Sequence, residues 1–153
     1  MDKGDKKFLS DINQYGWHVI KVMEDEKGPG FTYSVGLFKT YNHPEILIVG
    51  LKPDLAHILI NNIGEDIKSG KTYKSGIFYD DIIENYKCLM ITVTQDNYRD
   101  YVGFGYWYYK NYNFPLLQCI YPTLKGIYPW ESDWPEDIKE LQPVLGDLDG
   151  ILK

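Results

Sequence analysis

Two apolar segments, residues 31–37 and 45–51, constrain the fold of this chain more than any other feature. Each has the length and composition of a β-strand, and the second is a continuous apolar run, which is typical of a central strand covered on both faces. The short polar turn between them carries His43 and leads into Glu45, the first residue of the second segment. Because side chains two residues apart on an extended segment point the same way, these two groups are candidates for binding a ligand together.

Helical patterns occur in three other parts of the chain. Apolar residues recur at helical spacing over 8–15. Pro53 opens a second helix that ends near Gly70. The predicted buried face of this second helix consists of Leu55, Ile58, Leu59, Ile63 and Ile67. Asn97 resembles the N-cap of a third helix that runs through Lys110.

Further strands are predicted over 17–23, 77–79, 86–94 and 114–121, where β-branched and aromatic residues are frequent. The first of these is expected to form a hairpin with the segment 31–37, because the turn between them is rich in charged residues, glycine and proline. The pattern predicts an α+β fold in which a mainly antiparallel sheet packs with two or three helices.

Length and composition fit one domain over residues 1–153 that ends in an acidic tail over 132–153. The chain is 44% apolar, which suffices for one hydrophobic core. Cys88 and Cys119 lie in apolar runs without a CxxC pair, so they are expected to be buried free thiols in a reducing compartment. The amino terminus has no apolar stretch behind its charges, and a cytoplasmic location is therefore expected.

Charge and hydropathy exclude two classes of partner. The net charge is −6 and Arg99 is the only arginine, which argues against nucleic-acid binding because phosphate contacts need clustered lysine and arginine. No apolar stretch approaches the length of about 20 residues that a membrane span requires, so no membrane partner is expected. The oligomeric state and any cofactor remain unassigned.

An ordered set of motifs resembles one family. The motifs are Gly16-Trp-His-Val, Phe31-Thr-Tyr-Ser-Val-Gly-Leu37, His43-Pro-Glu-Ile-Leu-Ile-Val-Gly-Leu51, Gln118 and Tyr121-Pro with Gly126-Ile-Tyr-Pro-Trp-Glu131. Over about residues 10 to 131 they resemble the uncharacterised bacterial domain-of-unknown-function family number 4262. The resemblance implies a bacterial cytosolic domain and supplies no mechanism. Thr123 stands where the family pattern leads us to expect an aspartate.

The polar residues of these motifs form the candidate ligand-binding set: His18, Tyr33, Ser34, His43, Glu45 and Gln118. A metal site needs three or four converging ligands, and none of the three histidines has HxxxH or HExxH spacing. Ser34 with His43 and an acid would suit hydrolysis, although Tyr33-Ser-Val-Gly is not a GxSxG nucleophile elbow. Flavin binding on a small split barrel is a further alternative, based on fold analogy alone. No catalytic residue is assigned.

Aromatic residues make up 16% of the chain and suggest a different function. Tyr106 and Trp107 belong to the densest cluster, and Trp130 and Trp134 flank acidic residues. Aromatic anchors rimmed by charge are frequent in protein interfaces. The sequence therefore favours a non-catalytic binding module, of the accessory or immunity type, with a protein partner. The alternative is a small-molecule- or metal-binding enzyme, hydrolase-like or flavin-binding, with its site around His43 and Glu45.

Overall fold

Six strands form one open sheet in a computed structural model that describes residues 3–152. The strand order is β1-β2-β3-β6-β5-β4, and every neighbouring pair is antiparallel except β3 and β6. The elements in chain order are α1 (Lys3–Tyr15), β1 (His18–Val22), β2 (Phe31–Val35), α2 (Leu37–Tyr41), β3 (Glu45–Val49), α3 (Pro53–Lys68), β4 (Ile77–Ile83), β5 (Tyr86–Thr92), α4 (Tyr98–Tyr101), α5 (Gly103–Tyr109) and β6 (Leu116–Ile120). The predicted α+β fold with a mainly antiparallel sheet is confirmed.

Two layers of helices cover the sheet. One face packs against α3 through a cluster that includes Trp17, Ile46 and Ile60. The other face packs against α1, α4 and α5 through a cluster that includes Phe8, Leu47 and Phe114. Because both faces are covered, all five residues of β3 are buried, as the continuous apolar run predicts.

The buried face of α3 differs from the predicted face. Leu55 is 44% exposed and Ile58 is 57% exposed, so the expectation that both are buried is wrong. The contact face instead contains the buried residues Ala56, Leu59, Ile60, Ile63, Gly64 and Ile67. The Trp17 indole lies so close to Gly64 that an added Cβ would be 2.5 Å from its ring. Because the indole approaches so closely, the buried face of α3 includes its small residues Ala56 and Gly64. A prediction based on hydrophobicity alone does not identify this face.

The predicted helix from Asn97 to Lys110 is two short helices. Val102 adopts φ −118° and ψ 48° between α4 and α5, and Asn97 makes no capping hydrogen bond with its side chain. The Asn97 amide instead donates to the Leu145 carbonyl at 3.0 Å. With α2 in addition, the described chain has five α-helices, where two or three helices were expected.

The acidic tail packs against the sheet through hydrogen bonds between side chains and backbone groups. The Gln142 side chain exchanges two hydrogen bonds with the backbone of Tyr121, at 3.0 and 2.9 Å. Leu145 is buried in the core cluster that includes Phe8. The tail therefore completes the cover of the sheet, and the division of the chain into core and tail at residue 131 stays a prediction.

The buried polar side chains of the described residues are all hydrogen-bonded. Within residues 3–152, every buried side-chain nitrogen or oxygen has a partner. Cys88 and Cys119 are buried and form no disulfide, as expected. No helix in this range is both long enough and apolar enough to cross a membrane.

Candidate functional site

Glu45, the first residue of β3, accepts hydrogen bonds from five groups although its side chain is buried. Its Oε1 accepts from the Ser34 hydroxyl at 2.8 Å and the Leu37 N–H at 3.2 Å. Its Oε2 accepts from the Gly36 N–H at 2.9 Å, the Phe38 N–H at 3.2 Å and the Tyr109 hydroxyl at 2.5 Å. The carboxylate thereby joins β2, α2, β3 and α5. Glu45 thereby caps the N-terminus of α2, although it follows this helix in the sequence.

Burial and hydrogen bonding act in opposite directions on Glu45. Burial raises the pKa of the carboxyl, while hydrogen bonds from Tyr109, Gly36, Ser34 and Phe38 lower it. Burial, and then the neighbouring Glu45 carboxylate, raise the pKa of the Tyr109 phenol far above its ordinary value. Tyr109 therefore stays protonated and keeps donating to Glu45. The carboxylate is a structural hub whose oxygens are occupied by the protein itself.

Ser34 is engaged on both sides of its hydroxyl. The hydroxyl donates to Glu45 and accepts from the Ile46 N–H at 2.9 Å. The two partners of the Ser34 hydroxyl are thus the Glu45 carboxylate and the Ile46 N–H. His43, the general base of the hydrolase-like alternative, has other partners, so the geometry does not assemble that group of three.

His43 uses both ring nitrogens to connect two loops. Its Nδ1 lies 2.9 Å from the Pro44 carbonyl oxygen, and its Nε2 lies 2.9 Å from the Tyr73 backbone nitrogen. Because Nε2 accepts the Tyr73 N–H, the imidazole is neutral with its proton on Nδ1. Burial lowers the pKa of His43, and the Pro44 carbonyl only partly offsets this effect. His43 thus fixes the loop before β4 to the loop before β3.

This burial predicts a loss of stability in mild acid. In the unfolded chain His43 titrates near its ordinary pKa of about 6.5, while its folded pKa is lower. The stabilisation is therefore complete above about pH 6.5 and is lost as the pH falls toward the folded pKa, by up to about 1.4 kcal/mol per pH unit. Urea unfolding at about pH 7.5 and about pH 5.5 should show a smaller acid-induced loss for His43→Gln than for the wild type, by at most about 1 kcal/mol.

His57 supplies a comparison for this measurement. It is a half-buried histidine on α3, and burial lowers its pKa as well. His57→Gln should therefore also reduce the acid-induced loss, and the effect of His43→Gln should persist in the double variant. Equal acid sensitivity of His43→Gln and the wild type would show that His43 does not carry the effect.

Tyr33 and Gln118 also have partners within the protein. The Tyr33 hydroxyl accepts the Phe104 N–H at 3.1 Å, and burial raises the pKa of its phenol strongly. The Gln118 amide donates to the Pro143 carbonyl at 2.7 Å and accepts the Leu145 N–H at 2.8 Å. Gln118 thereby attaches the tail to the middle of the sheet.

His18 lies apart from the other candidates, at the start of the edge strand β1. Its Nδ1 is 2.6 Å from Asp11 Oδ2, and its ring centroid is 5.0 Å from that of Phe8. The side chain is 22% exposed and borders a surface cleft that also contains Asp11. Of the six candidate ligand-binding residues, His18 is the one that lines a described cleft.

The aromatic candidates lie on two separate surfaces. On α5, Tyr106 is 48% exposed, and Trp107 packs edge-on against Phe8 at 5.6 Å. Beside β4, the Trp130 indole stacks on Tyr128 at 4.7 Å between ring centroids, with planes 7° apart. The Trp134 indole donates to the Ile138 carbonyl at 3.1 Å and closes a turn of the tail.

Four residues important to these sites were not among the candidates: Asp11, Tyr73, Phe78 and Tyr109. Asp11 had a local signal, since it lies on the polar side of a predicted helix near His18. The other three have partners at least 30 residues away in sequence, for example Tyr73 with His43 and Tyr109 with Glu45. No spacing rule predicts such contacts.

The late motif forms a turn closed by Thr123. The Thr123 N–H donates to the Ile127 carbonyl at 2.8 Å, and its hydroxyl accepts the Ile127 N–H at 3.2 Å. Threonine thus supplies the side-chain oxygen that this turn uses. No metal-binding group of three or more histidine, cysteine, aspartate or glutamate side chains is found among residues 3–152.

The fold and the Glu45 hub define a single α+β domain whose motif residues hold its loops together. A model of the family described as "Domain of unknown function (DUF4262)" matches residues 11–135. The chain therefore belongs to the DUF4262 family, as the motifs from Gly16 to Glu131 indicate. No curated protein and no solved structure matches it.

Proposed function

We propose that this protein is a non-catalytic binding module, of the accessory or immunity type, that binds a protein partner through an aromatic surface beside β4. This surface, the aromatic edge patch, consists of Phe78, Tyr128 and Trp130. The observation that carries the proposal is that Tyr128 and Trp130 cluster with Phe78 of β4, the outermost strand of the sheet. Large, rigid aromatic side chains are the residues that most often anchor protein interfaces.

The three rings of the patch contact one another. Phe78 is 37% exposed, and its ring centroid is 5.9 Å from Tyr128 and 6.4 Å from Trp130. The Tyr128 hydroxyl donates to the Lys87 carbonyl at 2.7 Å, which fixes the stacked pair against β5. A patch held in this way loses little conformational entropy when a partner covers it.

The strand under the patch has an open edge. In the described chain β4 pairs only with β5, and the register is regular over Ile77–Tyr79 before an irregularity. An extended segment can add to such an edge through main-chain hydrogen bonds, while the neighbouring rings receive its side chains. Exposed Asp80 follows Phe78, and exposed Glu131 follows Trp130. These charges favour a basic partner segment.

The alternatives have weaker support. At His43 and Glu45, the sites suggested for a hydrolase-like, flavin-binding or metal-binding enzyme, the polar atoms are hydrogen-bonded within the protein. A ligand there would have to displace these bonds. On α5, Tyr106 and Trp107 are exposed to different degrees and lie on a helix without an open strand edge. The buried free cysteines support a reducing compartment, and we propose the cytoplasm.

The proposal predicts that two substitutions abolish partner capture. Tagged wild-type protein, Trp130→Ala and Phe78→Ala would be used to capture partners from a lysate of the host, and each captured protein would be retested in purified form. A partner that uses the patch should bind each variant about 30-fold more weakly or worse, because a hot-spot residue contributes about 2 kcal/mol. Circular dichroism and urea unfolding would verify that the variants are folded.

Tyr106→Ala is the matched control, since Tyr106 is an exposed aromatic residue on the other surface. It should leave capture unchanged. Asp80→Lys should weaken capture of a basic partner and reduce its dependence on salt. Full capture by both Trp130→Ala and Phe78→Ala would refute the edge patch, and loss only in Tyr106→Ala would place the interface on α5.

A further inference from the structure

A cleft of about 480 Å³ lies between α1, β1 and α3, at the edge of the sheet opposite to the aromatic edge patch. Its size is within the range of small-molecule sites in proteins. Its polar lining includes Lys7, Asp11, His18, His57, Asn61 and Lys68. The polar groups come from α1 and β1, which are neighbours in the sequence, and from α3, which the fold brings to them across a long stretch of chain.

One wall of the cleft holds an oriented imidazole. Asp11 Oδ2 lies 2.6 Å from His18 Nδ1, and the Phe8 ring packs against the imidazole with centroids 5.0 Å apart. The carboxylate therefore holds the Nδ1 proton, and Nε2 is the nitrogen left for another partner. No hydrogen bond from a residue in the described range reaches Nε2. An aspartate that orients a histidine in this manner is common where the other nitrogen contacts a ligand.

The opposite wall on α3 supplies donors. The Asn61 carbonyl oxygen accepts the Trp17 N–H at 3.0 Å, which turns the amide so that its NH₂ group is left to donate. His57 precedes Asn61 by one helical turn, and Lys68 is exposed at the helix end. The other acidic residue of the cleft, Glu65, is exposed on the same helix.

The cleft is less acidic than the whole chain. Burial lowers the pKa of His57, and the charges of Lys21 and His18 lower it further, with Asp54 acting in the opposite direction. Two lysines and two histidines line the cleft against Asp11 and Glu65, and Asp11 already contacts both His18 and Lys7. With both histidines neutral, Lys7 and Lys68 balance Asp11 and Glu65, so the cleft is about neutral on a protein with a net charge of −6.

From these contacts we propose that the cleft binds a small molecule through an oxyanion, a phosphate or a carboxylate, which contacts His18 Nε2 and the Asn61 amide. In the proposed complex Nε2 of His18 donates to the anion and Nδ1 donates to Asp11. Lys7 and Lys68 contribute long-range attraction at the rim. Asp11 is a positioning residue because it acts through His18.

The test is a titration followed by two-dimensional ¹H–¹⁵N NMR, with inorganic phosphate in one series and citrate in the other. Saturable shifts confined to the cleft are expected in at least one series at concentrations up to about 10 mM. A response to phosphate alone identifies a phosphate-bearing ligand, and a response to citrate alone identifies a carboxylate. The His18 ring signals should move on binding, which a merely structural role of His18 would not produce.

Variants distinguish this site from general charge effects. His18→Gln and Asp11→Asn should each weaken binding at least about tenfold, and Lys68→Ala by a smaller factor. Lys125→Ala, an exposed lysine outside the cleft, and Trp130→Ala in the aromatic edge patch should change nothing. No saturable shift with either anion, or full binding by His18→Gln, would overturn the proposal. These results are independent of partner capture by the edge patch.

Discussion

Replacing Glu45 with alanine should lower the free energy of unfolding by about 3–5 kcal/mol. The substitution removes the acceptor for three backbone N–H groups and the hydroxyls of Ser34 and Tyr109, in a place where the residue is only 1% exposed. Each buried donor left without a partner costs about 1–3 kcal/mol, and relaxation of α2 recovers part of the sum. Urea unfolding monitored by tryptophan fluorescence measures the loss.

Three further variants sharpen the interpretation of this result. Glu26→Ala, at an exposed glutamate in the β1–β2 turn, should change stability by less than about 0.5 kcal/mol. Tyr109→Phe removes one donor and should cost about 1–2 kcal/mol. Glu45→Gln keeps the shape but directs an NH₂ group at donors, so it should lie between the alanine variant and the wild type. A loss below about 1 kcal/mol in Glu45→Ala would contradict the role of Glu45 as the hub.

The second large effect is expected at Gly36, the residue before α2. Gly36→Ala should destabilise the protein by about 3–4 kcal/mol for two reasons that add. Gly36 has φ +120°, a conformation that residues with a Cβ rarely adopt. A Cβ there would also lie 2.7 Å from the Gly16 carbonyl oxygen and 2.8 Å from the Trp17 Cα. Both neighbours are backbone atoms, so no side-chain rotation relieves the contact.

Gly70 separates the two causes. It has φ +107° at the end of α3, and an added Cβ would have nothing within 4 Å. Gly70→Ala is therefore destabilised only by the unfavourable backbone conformation. We expect a loss in the free energy of unfolding of about 1 kcal/mol in the same urea measurement. Equal losses for Gly36→Ala and Gly70→Ala would show that the close approach of Gly36 to the 16–17 backbone is unimportant. The Glu45 and Gly36 results together would establish how α2 is held.

Strands were predicted well where a short periodic pattern decides the structure. The hairpin of β1 and β2 and the buried strand β3 occur within two residues of their predicted bounds, because alternation and β-branching act locally. The segment between β2 and β3 is the exception. It contains the helix α2, because the distant Glu45 and Tyr109 side chains stabilise its first turn.

The candidate site residues also depend on contacts that local sequence patterns do not predict. The motifs singled out Ser34, His43, Glu45 and Gln118 as ligand-binding candidates, yet a motif cannot tell whether a polar side chain faces a ligand or another part of the chain. His43 meets Tyr73 across 30 residues, and Gln118 meets Leu145 across 27. His18 and Asp11, only seven residues apart, were the pair that local reasoning could have joined.

The sequence by itself determined the class of the domain, its principal strands, the start and end of α3, and membership of the DUF4262 family. These follow from periodicity, turn chemistry and ordered motifs, all of which act over short stretches of chain. The tertiary structure alone decided which face of α3 is buried, that Glu45 and His43 are internal connectors, and that Asp11, His18 and Asn61 share a cleft. Those features depend on side chains brought together from distant elements, and the free energy of burying a polar group depends on the partner it finds there.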